Sequence, residues 1–187
     1  MSAAQPPVGA DAVIPPRRSP LQLARLRASR RVRAGARIIV GAGVRVRAAR
    51  GARIELGDDV VLGAGCRIEA EPGSVVSVGA GTRLGERSVV TSLTRIEIGE
   101  GCAIGDWALV ADAEATFDDP EKPVRLQPIH RAPVRLEPGV RVGAHAAVLA
   151  GVTVGAGAVI GSYAVVRGDV PAGAVVTGEE RAARSSA

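Results

Sequence analysis

The residues best suited to chemistry lie together in one segment, residues 111–135. This segment holds the carboxylates Asp112, Glu114 and Asp118 and one of the two histidines, His130. An imidazole of near-neutral pKa can take a proton from a hydroxyl without being permanently charged, and a suitably placed carboxylate can act in the same way. The segment therefore concentrates the residue types that general-base chemistry uses, which makes it the candidate functional site.

The composition limits the kind of core that could position these groups. Hydrophobic residues make up 47% of the 187 residues, but aromatic residues only 2%, and there are 24 glycines. Large aromatic side chains normally supply much of the buried area of a globular core. A chain with so few of them needs a thin, regular core of Val, Ile, Leu and Ala, with many tight turns at glycine.

A strict six-residue repeat predicts the fold. Between residues 136 and 171, every sixth residue is Leu, Ile or Val, and the fourth residue after it is Val or Ala. Neither a helical period of 3.6 nor a strand period of 2 explains this spacing, whereas a triangular coil of three short strands does. The hexads open at residues 34, 40, 46, 56, 62, 68, 78, 84, 90, 98, 104, 110, 136, 142, 148, 154, 160 and 166.

Three hexads close one coil, so these openers predict an all-β, left-handed parallel β-helix of about six coils. Every interruption follows a third hexad, so all insertions should leave the prism at one corner. The largest is the segment 111–135, which we predict to be an excursion loop from a rigid scaffold, a usual place for a functional site. The six-residue pattern stops at Pro171, and residues 172–187 depart from it.

The ends of the chain differ from the repeat. We predict a disordered N-terminus over residues 1–20, a short helix over 21–33, a β-helix domain over 34–178 and a polar tail over 179–187. The helix is expected to cap the open first coil, since a solenoid needs a cap. A helix lying on a membrane surface is the alternative interpretation.

Charge and targeting signals exclude several classes of protein. The net charge is +5, but most arginines stand singly beside Val or Ile and few aromatic residues are available to stack on bases, so we do not expect nucleic-acid binding. No apolar run reaches the ~18 residues that a membrane span requires. Without a signal-peptide core, the sequence predicts a cytoplasmic protein.

The cysteines and the second histidine are assigned structural roles. Cys66 and Cys102 lack metal-ligand spacing and fall at small-residue core positions, so we predict reduced packing residues rather than a disulfide. His145 falls at a hexad corner, which predicts a solvent-exposed turn residue. No metal site is predicted. A zinc carbonic anhydrase on the same fold would need three histidine ligands, and the chain has two histidines.

The hexads and the excursion resemble the hexapeptide acyltransferase superfamily over roughly residues 34–178. The segments at 117–120, 133–136, 148–153 and 165–171 look most similar to the branch of maltose, galactoside and other sugar O-acetyltransferases. The resemblance implies transfer of an acetyl group from acetyl-CoA to a hydroxyl of a sugar or related small acceptor. It also implies a homotrimer with clefts between subunits, lined by residues 110–133 of one chain and the coils of its neighbour.

The resemblance places the family's catalytic motif, H-x-x-D, over residues 115–118. Asp118 matches the Asp, but Ala115 stands where the family has its histidine. Alanine cannot carry a proton, and loss of a general base typically lowers a rate by ~10²–10⁴-fold. Three interpretations stay open: His130 serves as the base, Asp112 or Glu114 replaces it, or the chain is a catalytically inactive trimeric scaffold or binding protein.

The resemblance also implies residues that contact CoA, in two groups. Arg167 and Gly168 match the pair near the CoA phosphates, where an Arg can make charge-assisted contacts. The other group matches small residues against which the pantetheine arm lies, and the alternative explanation is that the turn itself requires small residues: Gly143, Ala144, Gly161 and Ser162.

Overall fold

The computed structural model describes residues 20–116, 119–123 and 126–178, and the first of these begins with a helix, α1 (Pro20–Ala28). Short parallel strands follow and form three sheets, which are the three faces of a left-handed β-helix. Face A consists of β1 (Val32–Ala34), β4 (Arg53–Leu56), β7 (Val75–Val78), β10 (Arg95–Ile98), β15 (Val134–Leu136) and β18 (Thr153–Val154). Face B consists of β2 (Ile39–Val40), β5 (Val61–Leu62), β8 (Arg83–Leu84), β11 (Ala103–Ile104), β16 (Arg141–Val142), β19 (Val159–Ile160) and β21 (Val175–Val176). Face C consists of β3 (Arg45–Ala48), β6 (Arg67–Ala70), β9 (Val89–Ser92), β12 (Leu109–Ala111), β17 (Ala147–Val148) and β20 (Val165–Val166).

The strand register confirms the predicted hexads. On face B, Leu62 pairs with Leu84, Leu84 with Ile104, and Ile104 with Val142, so openers stack on openers. These side chains point inward and are almost fully buried. The alternation of inward aliphatic and outward polar residues fixes the register, because a one-residue slip would expose the whole inward set.

The insertions leave at the corner between faces C and A, here called the CA corner, as predicted. The largest forms a fourth, two-stranded antiparallel sheet of β13 (Ala113–Ala115) and β14 (Ile129–Arg131). The BC corner, between faces B and C, carries no insertion. The BC corner is therefore a regular stack of short turns, and the insertions lie at the CA corner.

The solenoid extends beyond the last recognisable hexad. We predicted that residues 172–187 depart from the six-residue repeat, and this is wrong for strand β21, which pairs with β19 on face B. Just before it, Val170 forms a parallel bridge with Val154. The step from Val166 to Val170 is four residues rather than six, which hides the period in the sequence. Part of a seventh coil therefore covers the C-terminal end of the core.

The N-terminal helix covers the other end. Leu26 of α1 is buried within the core cluster, and Leu23 packs against it, which is the contact expected of a cap. The helix is shorter than the predicted segment 21–33, because Val32–Ala34 already forms the first strand of face A. No helix in the part of the chain that the structure describes is long and apolar enough to cross a membrane.

Both cysteines are free and buried, which confirms the prediction of reduced packing residues. Burial raises the pKa of the Cys66 thiol to about 11, although a hydrogen bond with Ser88 acts in the opposite direction. Burial also raises the pKa of Cys102. Both groups are therefore held as neutral thiols at neutral pH, where they pack as small apolar side chains.

Candidate functional site

The excursion is organised as a β-hairpin that carries two of the predicted acid–base residues. Strands β13 and β14 pair so that Glu114 lies opposite His130 and Ala115 lies opposite Ile129. Residues directly opposite each other in an antiparallel pair have their side chains on the same face. The structure thus brings Glu114 and His130 together, and His130 is exposed.

Asp112 has a different environment from the other candidates, because it is fully buried at the neck of the hairpin. Its carboxylate accepts hydrogen bonds from the Ser92 hydroxyl at 2.7 Å, from the backbone N–H groups of Leu93 and Thr94 at 2.6 and 2.8 Å, and from the Thr94 hydroxyl at 2.8 Å. Its carbonyl oxygen accepts from the N–H of Ala132. Four donors surround the buried carboxylate, three on Oδ2 and one on Oδ1, so these contacts favour an anchoring role for Asp112 over the predicted role of base.

Arg167 joins the solenoid to the hairpin. Its guanidinium donates to the Glu114 carboxylate, and this ion pair links the CA corner of the sixth coil to β13. The side chain of Glu114 is 27% exposed and that of Arg167 55%. The contact of Arg167 with CoA phosphates stays a prediction, and in the structure its guanidinium pairs with a carboxylate of the hairpin. Asp118 and Phe117 of the family motif lie outside the described residues.

The CoA-contacting candidates separate onto two corners of the chain. Gly143, Ala144, Gly161 and Ser162 lie at the BC corner of the fifth and sixth coils, where β16 stacks on β19. Arg167 and its neighbour Gly168 lie at the CA corner. On one chain, these two groups are not brought together.

A groove runs along face B beside the BC corner, with a volume of about 660 Å³. Gly143, Ala144 and Ser162 line its C-terminal part, and Gly105 and Asp106 line it one coil earlier. It is shallow and open to solvent along its length. An extended ligand could lie in it parallel to the solenoid axis, in contact with the backbone of successive coils.

The glycines of this groove have a structural reason of their own. A Cβ on Gly143 would lie 2.4 Å from the backbone N of Ser162, and one on Gly105 would lie 2.6 Å from the N of Ala144. Because neighbouring coils approach too closely for any side chain, Gly is required there by packing alone. The small residues that bear on binding are therefore Ala144 and Ser162, for which no such clash applies.

A stack of rings borders the groove, and sequence reasoning did not identify it. The ring of His145 lies 6.1 Å from that of Trp107 and 4.8 Å from that of Tyr163, with interplanar angles of 6° and 4°. The Arg87 guanidinium lies 4.8 Å from the Trp107 ring centroid. The signal was present in the sequence, since all four residues occupy the fourth position of a second hexad.

These four corner residues adopt backbone conformations that favour glycine. Trp107, His145 and Tyr163 have φ of 60°, 59° and 62°, whereas Gly43 and Gly65 hold the same position in the first two coils. A left-handed conformation costs a non-glycine residue about 1–2 kcal/mol. Trp107 is 51% exposed and Tyr163 is 70% exposed, so burial does not offset this cost. The prediction that His145 is an exposed turn residue is confirmed, but its ring is stacked on both sides.

Among residues 20–116, 119–123 and 126–178, no group of three or more His, Cys, Asp or Glu side chains is arranged to hold a metal ion.

Sequence comparisons match parts of the chain to transferases. The family described as bacterial transferase hexapeptide (six repeats) matches residues 133–168. A probable acetyltransferase of Mycobacterium tuberculosis is 38% identical over 95 residues, which is 51% of this chain and 32% of that protein. The 2,3,4,5-tetrahydropyridine-2,6-dicarboxylate N-acetyltransferase of Staphylococcus aureus is 49% identical over 53 residues, which is 28% of this chain and 22% of that protein. The chain thus spans a third or less of the length of these curated relatives.

Structural comparisons match most of the described chain. A variant of AntD, an N-acyltransferase from Bacillus cereus in complex with dTDP and coenzyme A, superposes with a TM-score of 0.68 at 18% identity, covering 84% of this chain and 83% of that one. A hexapeptide-repeat acetyltransferase from Vibrio cholerae complexed with acetyl-CoA gives a TM-score of 0.56 at 23% identity, covering 67% and 65%. At these identities the comparison establishes the shared fold.

Proposed function

Because this chain belongs to the hexapeptide-repeat acyltransferase superfamily, we propose that it transfers an acetyl group from acetyl-CoA to a hydroxyl of a sugar or related small acceptor. The observation that carries the proposal is the groove beside the BC corner, in which Ala144 and Ser162 stack on successive coils. The acetyl-CoA bound to the Vibrio cholerae relative and the coenzyme A bound to AntD support CoA as the ligand.

The proposal includes a homotrimer, supported by an aliphatic strip on face C. Val89, Leu109, Ala147 and Val165 are outward-facing, partly exposed and in register on four successive coils. Face A, in contrast, carries alternating Arg and Glu ion pairs. Burying an uncharged strip on a threefold axis removes apolar area from water without leaving charges unpaired.

This arrangement would complete the site. The BC and CA corners flank face C, so a threefold axis along face C sets the CA corner of one chain beside the BC corner of the next. The hairpin with His130 and Glu114, together with Arg167, would then lie beside the neighbour's groove. The two groups of CoA-contacting candidates would share one cleft, with three clefts per trimer.

In this cleft, His130 is proposed to act as the general base. It takes the proton from the acceptor hydroxyl as the oxygen attacks the thioester carbonyl of acetyl-CoA. The new C–O bond forms, the C–S bond breaks, and the CoA thiolate leaves and receives the proton from the imidazolium. Glu114 lies on the same face of the hairpin and is held by Arg167, so it is placed to orient the imidazole.

Ala115 favours the second candidate function, a catalytically inactive trimeric scaffold or binding protein, since the family's usual base is absent there. The two functions differ first in CoA binding. Isothermal titration with acetyl-CoA should show binding by the native protein and its loss in Ala144→Trp, which fills the groove. Ala156→Trp is the matched control, because Ala156 is the third residue of a hexad at the AB corner, away from the groove. An absence of acetyl-CoA binding would leave the scaffold as the function.

Catalysis is tested separately from binding. Acetyl transfer from acetyl-CoA to a panel of sugars and aminosugars should fall by ~10²–10⁴-fold in His130→Ala, as expected for loss of a general base. Lys122→Ala, on the same excursion and paired with Asp119, should retain the native rate. Equal rates in the native protein and His130→Ala would exclude His130 as the base.

A further inference from the structure

Two arginines on face B point to the class of acceptor. Resting on the function proposed above, we propose that Arg83 and Arg141 bind an anionic group, a carboxylate or phosphate, of the acceptor in the groove. Three features of the two arginines support this role: their register, their lack of a carboxylate partner among the described residues, and their place relative to the residues assigned to CoA.

The register places the two guanidinium groups on either side of a gap. Arg83 pairs with Ala103, and Ala103 pairs with Arg141, so the three residues form one outward-facing line across three coils. At a strand spacing of about 4.8 Å, the two arginine backbones lie about 10 Å apart. The small Ala103 side chain leaves the space between them open. Two long side chains across such a gap can converge on one anion.

Neither arginine has a carboxylate partner within the described part of the chain. On face A, by contrast, Arg95 and Arg135 both pair with Glu97. The Nη1 atom of Arg83 is also buried and has no hydrogen-bond acceptor among the described residues. A buried donor of a charged group left without an acceptor costs free energy, so its presence requires an explanation. A rotation of the Arg83 side chain toward the groove would let an anionic ligand supply the acceptor.

Two carboxylates line the same groove. Asp106 accepts a hydrogen bond from the backbone N–H of Glu86 at 2.7 Å and thereby caps a turn of the BC corner. Glu86 lies at the same third position of its hexad, one coil earlier. Both acids belong to the corner, whereas Arg83 and Arg141 stand on the flat of face B. The groove thus has an acidic edge and a basic floor, which would orient an anionic acceptor rather than merely attract it.

The position along the groove separates the acceptor from CoA. Ala144 and Ser162, proposed to contact the pantetheine arm, lie on the fifth and sixth coils. Arg83 lies on the third coil and Arg141 on the fifth, so the arginine pair begins where the proposed CoA contacts end. An acceptor bound there would meet the end of the CoA chain inside one continuous groove.

The test compares sugars that share one ring and differ in whether C6 carries an anionic group. Glucose 6-phosphate, glucuronate and uncharged glucose are titrated into the 187-residue protein, with binding followed by NMR or calorimetry at low and high salt. The phosphate and the carboxylate sugar serve as separate arms. We expect at least one of them to bind about tenfold or more tightly than glucose, with affinity that falls as salt increases.

The variants assign the effect to residues. Arg83→Gln and Arg141→Gln should each weaken binding of the anionic sugar about tenfold, and Arg135→Gln on face A should not change it. Thermal unfolding of each variant checks that the fold is retained. Equal binding of glucose and both anionic sugars, or unchanged binding in the Arg83→Gln/Arg141→Gln double variant, would overturn the proposal.

Acetyl-CoA is titrated into the same samples. If the double variant still binds acetyl-CoA, the assignment of the two arginines to the acceptor is supported. If the double variant loses both acetyl-CoA binding and the preference for anionic sugars, the arginines bind CoA and the proposal is overturned. If the native protein bound the anionic sugars through these arginines but did not bind acetyl-CoA, the proposed acyltransferase function would be wrong and the proposed anion site would be supported.

Discussion

At the scale of single residues, the carboxylates of the excursion divide by environment. Asp112 and Glu114 are separated by a single residue, yet Asp112 is buried among four donors and Glu114 is partly exposed beside an arginine. A buried carboxylate that accepts four hydrogen bonds stabilises the local fold, because it satisfies donors that are shielded from water. This difference assigns Asp112 to the hairpin neck and leaves Glu114 available for chemistry.

Asp112→Asn should therefore act on stability. The amide loses the negative charge and turns two donors of its own toward the donors of Ser92 and Thr94, so we expect a loss of about 2 kcal/mol or more in the free energy of unfolding. Urea denaturation measures it. Asp119→Asn, on the exposed part of the excursion, is the control and should change stability by less than about 0.5 kcal/mol. A native-like midpoint for Asp112→Asn would contradict the anchoring role.

Gly143→Ala is expected to destabilise the protein for a steric reason. Its Cβ would lie 2.4 Å from the backbone of the next coil, and overpacking of this kind costs about 1–3 kcal/mol. Gly168→Ala has nothing within 4 Å of the new Cβ and should be nearly neutral. Thermal unfolding of the two variants tests the comparison, and equal melting temperatures would show that the coils can separate to admit a methyl group.

At the scale of elements, the solenoid could be predicted from the sequence and the hairpin could not. Inward positions such as Leu84 and Ile104 recur because each coil repeats the same steric environment, so a periodic pattern reports them directly. The pairing of Glu114 with His130 arises inside a segment without repetition, where cross-strand register depends on the turn and on tertiary contacts. For the same reason, nothing in the sequence indicated that Arg167 would pair with Glu114.

The Arg167–Glu114 ion pair should hold the hairpin against the sixth coil. Arg167→Gln removes it, and since partly exposed pairs contribute modestly, the hairpin should open about two- to fivefold more often. Limited trypsin digestion would detect this as faster cleavage after Arg131, with the solenoid left intact. Arg135→Gln supplies the comparison, because it breaks an ion pair on face A. Identical cleavage rates in both variants would mean that the pair does not restrain the hairpin.

At the scale of the whole molecule, the three faces have distinct surfaces, and face C is the one suited to self-association. Light scattering coupled to size exclusion should give a mass about three times the 19.0 kDa of one chain. Leu109→Glu places a charge in the middle of the aliphatic strip and should yield monomers, whereas Ser77→Glu on face A should leave the assembly intact. A monomeric native protein would remove the basis for the shared cleft.

The excursion also has a consequence for how the polypeptide folds. Leu84 pairs with Ile104 and Val142 with Ile160, but the pairing of Ile104 with Val142 spans roughly twice as much chain. A stack held by nearest-neighbour contacts can grow coil by coil, and doubling the loop to be closed adds about 0.6 kcal/mol of entropy cost. We therefore expect the interface between the fourth and fifth coils to form more slowly than the interfaces on either side of it.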